Sequence, residues 1–147
     1  MLEIEIVNFL DIEMSTQKEL FEYVSKKLIK KGYVEDDYLI GLMNREKAYP
    51  TGLKTEVVET AIPHTEMEFI NKPFIVVVRL KNCVEFQHMG KEERVFAKLV
   101  FFLGISQANF QLKTIQKVLK IITDEEAVST LLNCQDSKEI KEILLSV

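Results

Sequence analysis

Apolar residues along this 147-residue chain first recur with the spacing of an α-helix. Leu20, Val24 and Leu28 lie four positions apart, which places them on one helical face. The segment Thr-Gln-Lys-Glu at 16–19 has the pattern of a capping box and predicts where this helix begins. Gly32 predicts its end, because glycine readily adopts the left-handed conformation found after a helix C-terminus.

After a second helix, the spacing changes to that of β-strands. This second predicted helix begins near Asp36 or Asp37, and the turn-forming segment YPTGL follows it at 49–53. Beyond the turn, the β-branched run PFIVVVRL at 73–80 predicts a strand that is buried on both faces. The apolar run RVFAKLVFFLGI at 94–105 predicts another strand.

The remaining apolar segments complete an order of helices, strands and helices. The opening segment 2–12 is compatible with a strand or an extended arm, and 57–62 is expected to be extended. Helical spacing returns after the last strand, with two short helices expected after Asp124 and from a cap at Ser137. The longer helix before them is expected to bury Leu112, Ile115, Leu119 and Ile122. We therefore predict one α/β domain over 1–147, with a mixed, mostly parallel β-sheet and helices packed on its faces.

Charge and composition exclude several classes of protein. The net charge is −4 and the pI is near 5.3, whereas a nucleic-acid-binding domain normally carries a basic face. No apolar run approaches the ~18 residues that a membrane-spanning helix needs. The acidic N-terminus lacks the basic start of a signal peptide. Cys83 and Cys134 form no CxxC pair and are typical of reduced thiols, so we predict a cytoplasmic protein.

Nucleotide and metal sites are not expected in this sequence. It lacks the motifs GxGxxG, GxxxxGK[ST], GxSxG and HExxH. Zinc requires three or four clustered ligands, and the chain offers two distant histidines, His64 and His88. We therefore predict no metal and no bound cofactor.

The segment IPHT at 62–65 is the strongest candidate for chemistry. Pro63 fixes its own φ angle and favours an extended Ile62, so His64 is expected just past the end of a strand. Sites form at strand ends in open α/β sheets. A neutral imidazole has one nucleophilic nitrogen, which allows it to act as a base, bind a metal or accept a phosphoryl group. Thr65 is a candidate hydrogen-bond donor to a phosphate oxygen.

The same residues also have structural interpretations. A histidine after proline is commonly a turn residue, and His88 in QHMGKEE is expected to be a solvated loop residue. Arg45 and Glu46 are compatible with surface charges at a helix end, where a cation suits the helix dipole. A hydrolase that pairs His64 with Cys83 or Cys134 is a further interpretation, although neither cysteine has a flanking signature.

Three segments together resemble a known protein family. They are RE at 45–46, PTGL at 50–53 and AIPH at 61–64, and their order and spacing resemble the enzyme IIA domain of the fructose–mannitol class of the sugar phosphotransferase system. The strand at 94–105 and the segment SKEIKEILLS at 137–146 are also similar to that family. The resemblance extends over nearly the whole chain, and the combination is much more specific than IPH alone.

The resemblance implies a phosphoryl carrier. Enzyme IIA of this family accepts a phosphoryl group from the carrier HPr and passes it to a cysteine of enzyme IIB, which phosphorylates the sugar at the membrane channel, enzyme IIC. His64 matches the phosphorylated histidine of the family, and Arg45 matches the arginine that lies near it. The implied partners are HPr and enzyme IIB, and the membrane is reached only through enzyme IIC. No cofactor is needed, because the donor arrives already activated.

Gln111 is a departure from the family pattern. Many relatives have a second histidine at the start of the helix after the last buried strand, where this chain has NFQLKTIQ. A glutamine still donates a hydrogen bond to phosphate, but it carries no charge. The QLK segment and the stand-alone length are similar to the galactitol branch, so galactitol or a related polyol is the expected substrate. The alternative is a regulatory, nitrogen-type enzyme IIA that signals by phosphorylation-dependent binding.

Overall fold

A central five-stranded sheet organises the computed structural model, which describes residues 4–146. The strands are β1 (Glu5–Ile12), β2 (Gly52–Lys54), β3 (Glu59–Ala61), β4 (Phe74–Gln87) and β5 (Arg94–Gly104). The helices are α1 (Gln17–Lys30), α2 (Tyr38–Ala48), α3 (Ala108–Ile122), α4 (Glu125–Asn133) and α5 (Ser137–Leu145). A short 3₁₀-helix at Met67–Phe69 follows the IPHT segment.

The sheet has the strand order β1-β4-β5-β3-β2. β1 pairs parallel to β4 and β3 pairs parallel to β5, whereas β4–β5 and β2–β3 are antiparallel pairs. The predicted mixed sheet is confirmed, but parallel pairs do not predominate in it. The reason is that a short turn at 88–93 joins β4 to β5, and a connection of this length permits only antiparallel pairing.

Two apolar cores lie on opposite faces of the sheet. Successive side chains in a strand point to opposite faces, so Val76 and Val78 of β4 join the core beneath α1 and α2. Ile75 and Val77 join the second core, beneath α3, α4 and α5. All four valine and isoleucine side chains are buried, which confirms the prediction of a strand covered on both faces. Helices therefore pack on both faces of the sheet, as expected.

The ends of α1 are those that the sequence predicts. The Thr16 hydroxyl oxygen accepts a hydrogen bond from the backbone N–H of Glu19 at 3.1 Å, and the Glu19 carboxylate accepts one from the N–H of Ser15 at 3.3 Å. Gly32 has a φ angle of +79°, in the left-handed region. Side-chain capping and a glycine stop therefore define this helix.

Two expectations for the C-terminal helices are wrong in detail. Leu112 is 65% exposed, whereas Ile122 is buried and Ile115 and Leu119 are partly buried against the second core. The residues of α3 that are buried are Thr114, Val118, Ile121 and Ile122. Asp136 caps α5 by accepting from the N–H of Lys138 at 2.9 Å, and Ser137 is the first helical residue.

A buried arginine joins β1, β4 and α4. Arg79 in β4 is 2% exposed, and its Nη1 donates to the carbonyl oxygens of Leu131 at 3.1 Å and Cys134 at 2.6 Å. Its Nε and Nη2 each donate to a carboxylate oxygen of Asp11 at 3.0 Å. Asp11 has a φ angle of +58°, and the pairing of β1 with β4 shifts register at this residue. Arg79 thus donates hydrogen bonds to two carbonyl oxygens at the end of α4 and to the carboxylate at an irregular position of β1.

Gly104, at the end of β5, is expected to resist enlargement. A Cβ atom at this buried position would lie 2.1 Å from Cε2 of Phe74, a ring that is itself fully buried. We expect Gly104→Ala to lower the free energy of unfolding by about 2 kcal/mol, the usual scale of overpacking in a core. Urea unfolding measures this loss. The double variant Gly104→Ala with Phe74→Leu is expected to lose less free energy of unfolding than the sum of the two single variants. An additive loss would contradict the clash between these two positions.

Candidate functional site

His64 lies where the chain leaves β3, as the sequence predicts. Backbone pairing continues past the end of this strand on both sides. On one side the N–H of Ile62 donates to the carbonyl oxygen of Thr51 at 3.2 Å. On the other side the N–H of Leu103 donates to the carbonyl oxygen of Pro63 at 3.0 Å, and His64 forms a β-bridge with Leu103. The backbone that carries the imidazole is therefore anchored to the residue before β2 and to β5.

The two ring nitrogens of His64 have different surroundings. Nδ1 lies 2.8 Å from the carbonyl oxygen of Ile62, and this is the hydrogen bond that the ring makes within residues 4–146. A carbonyl oxygen only accepts, so Nδ1 carries the proton and donates it. In the neutral ring the lone pair is then on Nε2. The geometry makes Nε2 the nucleophilic or basic atom.

The surroundings of His64 favour its neutral form. Partial burial lowers the pKa of His64, because the charged ring loses hydration. The hydrogen bond to Ile62 raises the pKa, the Arg45 guanidinium lowers it, and the Glu66 carboxylate raises it. The net shift in the pKa of His64 is downward, so the ring is neutral at neutral pH.

Arg45 reaches this region from the last turn of α2. Its Cζ atom lies 4.4 Å from the centre of the Tyr49 ring, and its Nη1 lies 3.4 Å from Oε1 of Glu66. Its Nε is buried and has no hydrogen-bond partner in the part of the chain that the structure describes. The guanidinium is therefore held in place with donor capacity unused.

Glu46, next to Arg45, is not the surface charge that the sequence predicts, and its role at the site was missed. It is 5% exposed, and its carboxylate accepts from the backbone N–H of Thr51 at 2.8 Å and from the Thr51 hydroxyl at 2.7 Å. Burial raises the pKa of Glu46, although both hydrogen bonds act in the opposite direction. These bonds fix the end of α2 to the start of β2. A signal for this role exists in the sequence, because Tyr38, Leu42 and Glu46 continue one buried helical face.

Thr65 and Gln111 occupy different positions relative to His64. Thr65 is buried, and its hydroxyl donates to the backbone carbonyl oxygen of Glu66 at 2.9 Å. Its predicted contact with a phosphate oxygen stays a prediction. Gln111 lies in the first turns of α3, a helix that begins shortly after β5, the strand that pairs with the His64 backbone. It is half-buried, and its predicted contact also stays a prediction.

The other candidate residues lie outside this cluster. His88 is at the β4–β5 turn, where its Nδ1 is 2.7 Å from the carbonyl oxygen of Met89. Cys83 is exposed, Cys134 is buried, and neither thiol hydrogen-bonds to His64 within the described range. No group of three or more histidine, cysteine or acidic side chains in residues 4–146 is placed to hold a metal ion. None of the helices in this range combines the length and apolar character needed to cross a membrane.

Comparisons with known proteins define the class of this chain. Residues 1–147 match the model of the family described as "Phosphoenolpyruvate-dependent sugar phosphotransferase system, EIIA 2". The chain belongs to this family of phosphoryl carriers, which confirms the resemblance found in the sequence.

Relatives of known name show the same class at moderate similarity. The chain is 28% identical over 131 residues to the galactitol-specific EIIA component of Escherichia coli K12, covering 89% of this chain and 87% of that protein. It is also 28% identical to the mannitol-specific EIICBA component of the same strain over 137 residues, which is 92% of this chain but only 21% of that longer protein. The solution structure of the E. coli complex of enzyme IIA mannitol with phosphorylated enzyme IIB mannitol matches with a TM-score of 0.75 and 26% identity, over 95% of this chain and 94% of that chain.

Loss of the Glu46 carboxylate is expected to destabilise the corner between α2 and β2. In Glu46→Ala the buried N–H of Thr51 loses its acceptor, so we expect the free energy of unfolding to fall by about 2 kcal/mol. Glu46→Gln keeps an acceptor oxygen of the same reach and is expected to recover most of this loss. Urea unfolding of the two variants tests the assignment, and equal destabilisation by both would contradict it.

The pKa of His64 is expected to lie below its ordinary value of 6.5. Since folding lowers this pKa, the unfolded chain binds the proton more tightly, and the contribution of His64 to stability decreases as pH falls below about 6.5. An NMR titration of the imidazole C–H signals measures the midpoint. Arg45→Gln removes a charge that lowers this pKa, so its midpoint is expected to be higher. A midpoint that is unchanged in the variant would show that Arg45 does not act on the ring.

Proposed function

We propose that the chain is a phosphoryl carrier, in which His64 accepts a phosphoryl group from phospho-HPr and passes it to a cysteine of its cognate enzyme IIB. The observation that carries this proposal is the hydrogen bond from Nδ1 of His64 to the carbonyl oxygen of Ile62. It leaves the Nε2 lone pair for attack on phosphorus, in a ring whose lowered pKa keeps it neutral. His64, Arg45 and Glu66 are each at least partly exposed to solvent, which suits transfer between two proteins.

The chemistry needs only the movement of the phosphoryl group. The Nε2 lone pair of His64 attacks the phosphorus of phospho-HPr, a new N–P bond forms, and the N–P bond of HPr breaks with its electron pair returning to the HPr imidazole. Nδ1 of His64 keeps its proton throughout, donated to Ile62. In the second step the thiolate of enzyme IIB attacks the same phosphorus, an S–P bond forms, and the His64 ring leaves in its neutral form.

Arg45 is the proposed source of charge stabilisation. The phosphoryl group carries negative charge through the transfer, and a guanidinium presents several donors to its oxygens. The charge of Arg45 already acts on His64, and its Nε has no partner among the described residues. Thr65 and Gln111 are candidates for additional hydrogen bonds to the phosphoryl oxygens, from the segment after His64 and from α3.

We propose a polyol as the transported substrate. The chain is equally similar, at 28% identity, to a galactitol-specific and to a mannitol-specific relative, and both of these substrates are polyols. Galactitol is therefore the first substrate to test, with mannitol beside it. Because HPr and enzyme IIB are the proposed partners, we place the carrier in the cytoplasm, and its connection to the membrane is only through enzyme IIC.

The phosphorylation of His64 is tested by intact mass after incubation with phosphoenolpyruvate and with enzyme I and HPr of the source organism. We expect the addition of one acid-labile phosphoryl group to the wild-type protein and none to His64→Ala. Because Nδ1 is occupied, NMR of the phosphorylated protein is expected to place the phosphorus on Nε2.

His88→Ala is the matched control, because it removes the other histidine of the chain and is expected to leave the labelling unchanged. A wild-type protein that acquires no phosphate would overturn the proposal. A protein that is phosphorylated but passes nothing to enzyme IIB would instead support the regulatory alternative.

A further inference from the structure

Glu66 brings a second carboxylate to the His64 site. It lies two positions after His64, is exposed, and contacts Nη1 of Arg45 through Oε1 at 3.4 Å. The Arg45 guanidinium lowers the pKa of the imidazole, and the Glu66 carboxylate raises it. The site therefore contains one cation and one competing anion around the nucleophilic ring.

The ion pair between Arg45 and Glu66 is a weak one. Its 3.4 Å separation is longer than the about 2.8 Å of a strong charge-assisted hydrogen bond. Glu66 contacts Arg45 through one oxygen and one nitrogen, and both side chains remain partly exposed to solvent, at 49% and 30%. Arg45 Nε has no partner in the described part of the chain. A phosphoryl group, with three oxygens and nearly two negative charges, is a better ligand for this guanidinium than the carboxylate is.

We infer that Glu66 destabilises the phosphorylated form of this carrier, because it pairs with Arg45 in the resting protein and is left as an unpaired anion beside the phosphoryl group after transfer. This inference rests on the proposed function. Glu66 would then make the phosphoryl group easier to pass on to enzyme IIB. It acts through Arg45 and through its own charge, and it takes no part in bond formation.

The expected size of this effect is modest, because the pair is partly exposed. Exposed ion pairs contribute little, so neutralising Glu66 is expected to shift the phosphoryl equilibrium by about threefold. High salt is expected to reduce the shift, since it screens exposed charges. If Glu66 only stabilised the fold, neutralising it would not shift the phosphoryl equilibrium toward the phosphorylated form of this protein.

The test is the distribution of phosphoryl groups between HPr and this protein. Purified phospho-HPr, free of enzyme I and phosphoenolpyruvate, is mixed with the wild type or with Glu66→Gln, and the phosphorylated fraction of each protein is read by intact mass at equilibrium. We expect the equilibrium constant for phosphorylation of Glu66→Gln to exceed that of the wild type by about threefold at low salt. The pKa of His64 in this variant, read by NMR, is expected to fall, because Glu66 raises it.

Glu68→Gln is the matched control. Glu68 is an exposed carboxylate two residues further along the same segment, and it forms no ion pair among the residues that the structure describes. Both substitutions change the net charge equally, so Glu68→Gln is expected to leave the equilibrium and the His64 pKa near their wild-type values.

The possible outcomes separate this inference from the proposed function. If the wild type is phosphorylated and Glu66→Gln has the same equilibrium constant or a lower one, Glu66 does not destabilise the phosphorylated form. If Glu66→Gln and Glu68→Gln shift the equilibrium equally, net charge is the cause and the role of Glu66 is rejected. A wild-type protein that takes no phosphoryl group from phospho-HPr overturns the proposed function, and the inference with it.

Discussion

The hydrogen bond from Nδ1 of His64 to the carbonyl oxygen of Ile62 is the constraint on which the site depends. It joins a ring to the backbone only two residues earlier, so the ring orientation is set by the path of the chain through Pro63. That path is in turn held by pairing with Thr51 of the segment before β2 and with Leu103 of β5. A three-residue strand therefore suffices to position a reactive nitrogen, because both neighbouring strands hold it where it ends.

The second half of the site is positioned by helix burial. Tyr38, Leu42 and Glu46 lie on the buried face of α2, which leaves Arg45 partly exposed beside them. The hydrogen bonds from Thr51 to Glu46 connect this helix to the same segment that pairs with Ile62. Arg45 and His64, which are distant in sequence, are thus both connected to the backbone segment that contains Thr51.

Features that depend on a single helix or strand were predicted well from the sequence, whereas features that depend on packing between two elements were not. The capping box at Thr16, the stop at Gly32 and the strand at 73–80 are local features, and all three are found in the structure. The exposure of Leu112 could not be predicted, because how far the start of α3 reaches over the second core depends on the packing between elements. The burial of Glu46 was missed for the same reason. Glutamate is normally a surface residue, and only the neighbouring Thr51 makes a buried Glu46 tolerable.

Asp11 shows how two demands on one position restrict the choice of amino acid. Its backbone has a φ angle of +58°, a conformation that glycine, asparagine and aspartate adopt more readily than other residues. Its side chain must also offer two oxygens to the Arg79 guanidinium. Glycine has no oxygen, asparagine has one acceptor and no charge, and glutamate is disfavoured in this conformation. Aspartate is thus the residue that meets both requirements, and substitutions here would be selected against even though the side chain is exposed and far along the chain from the histidine.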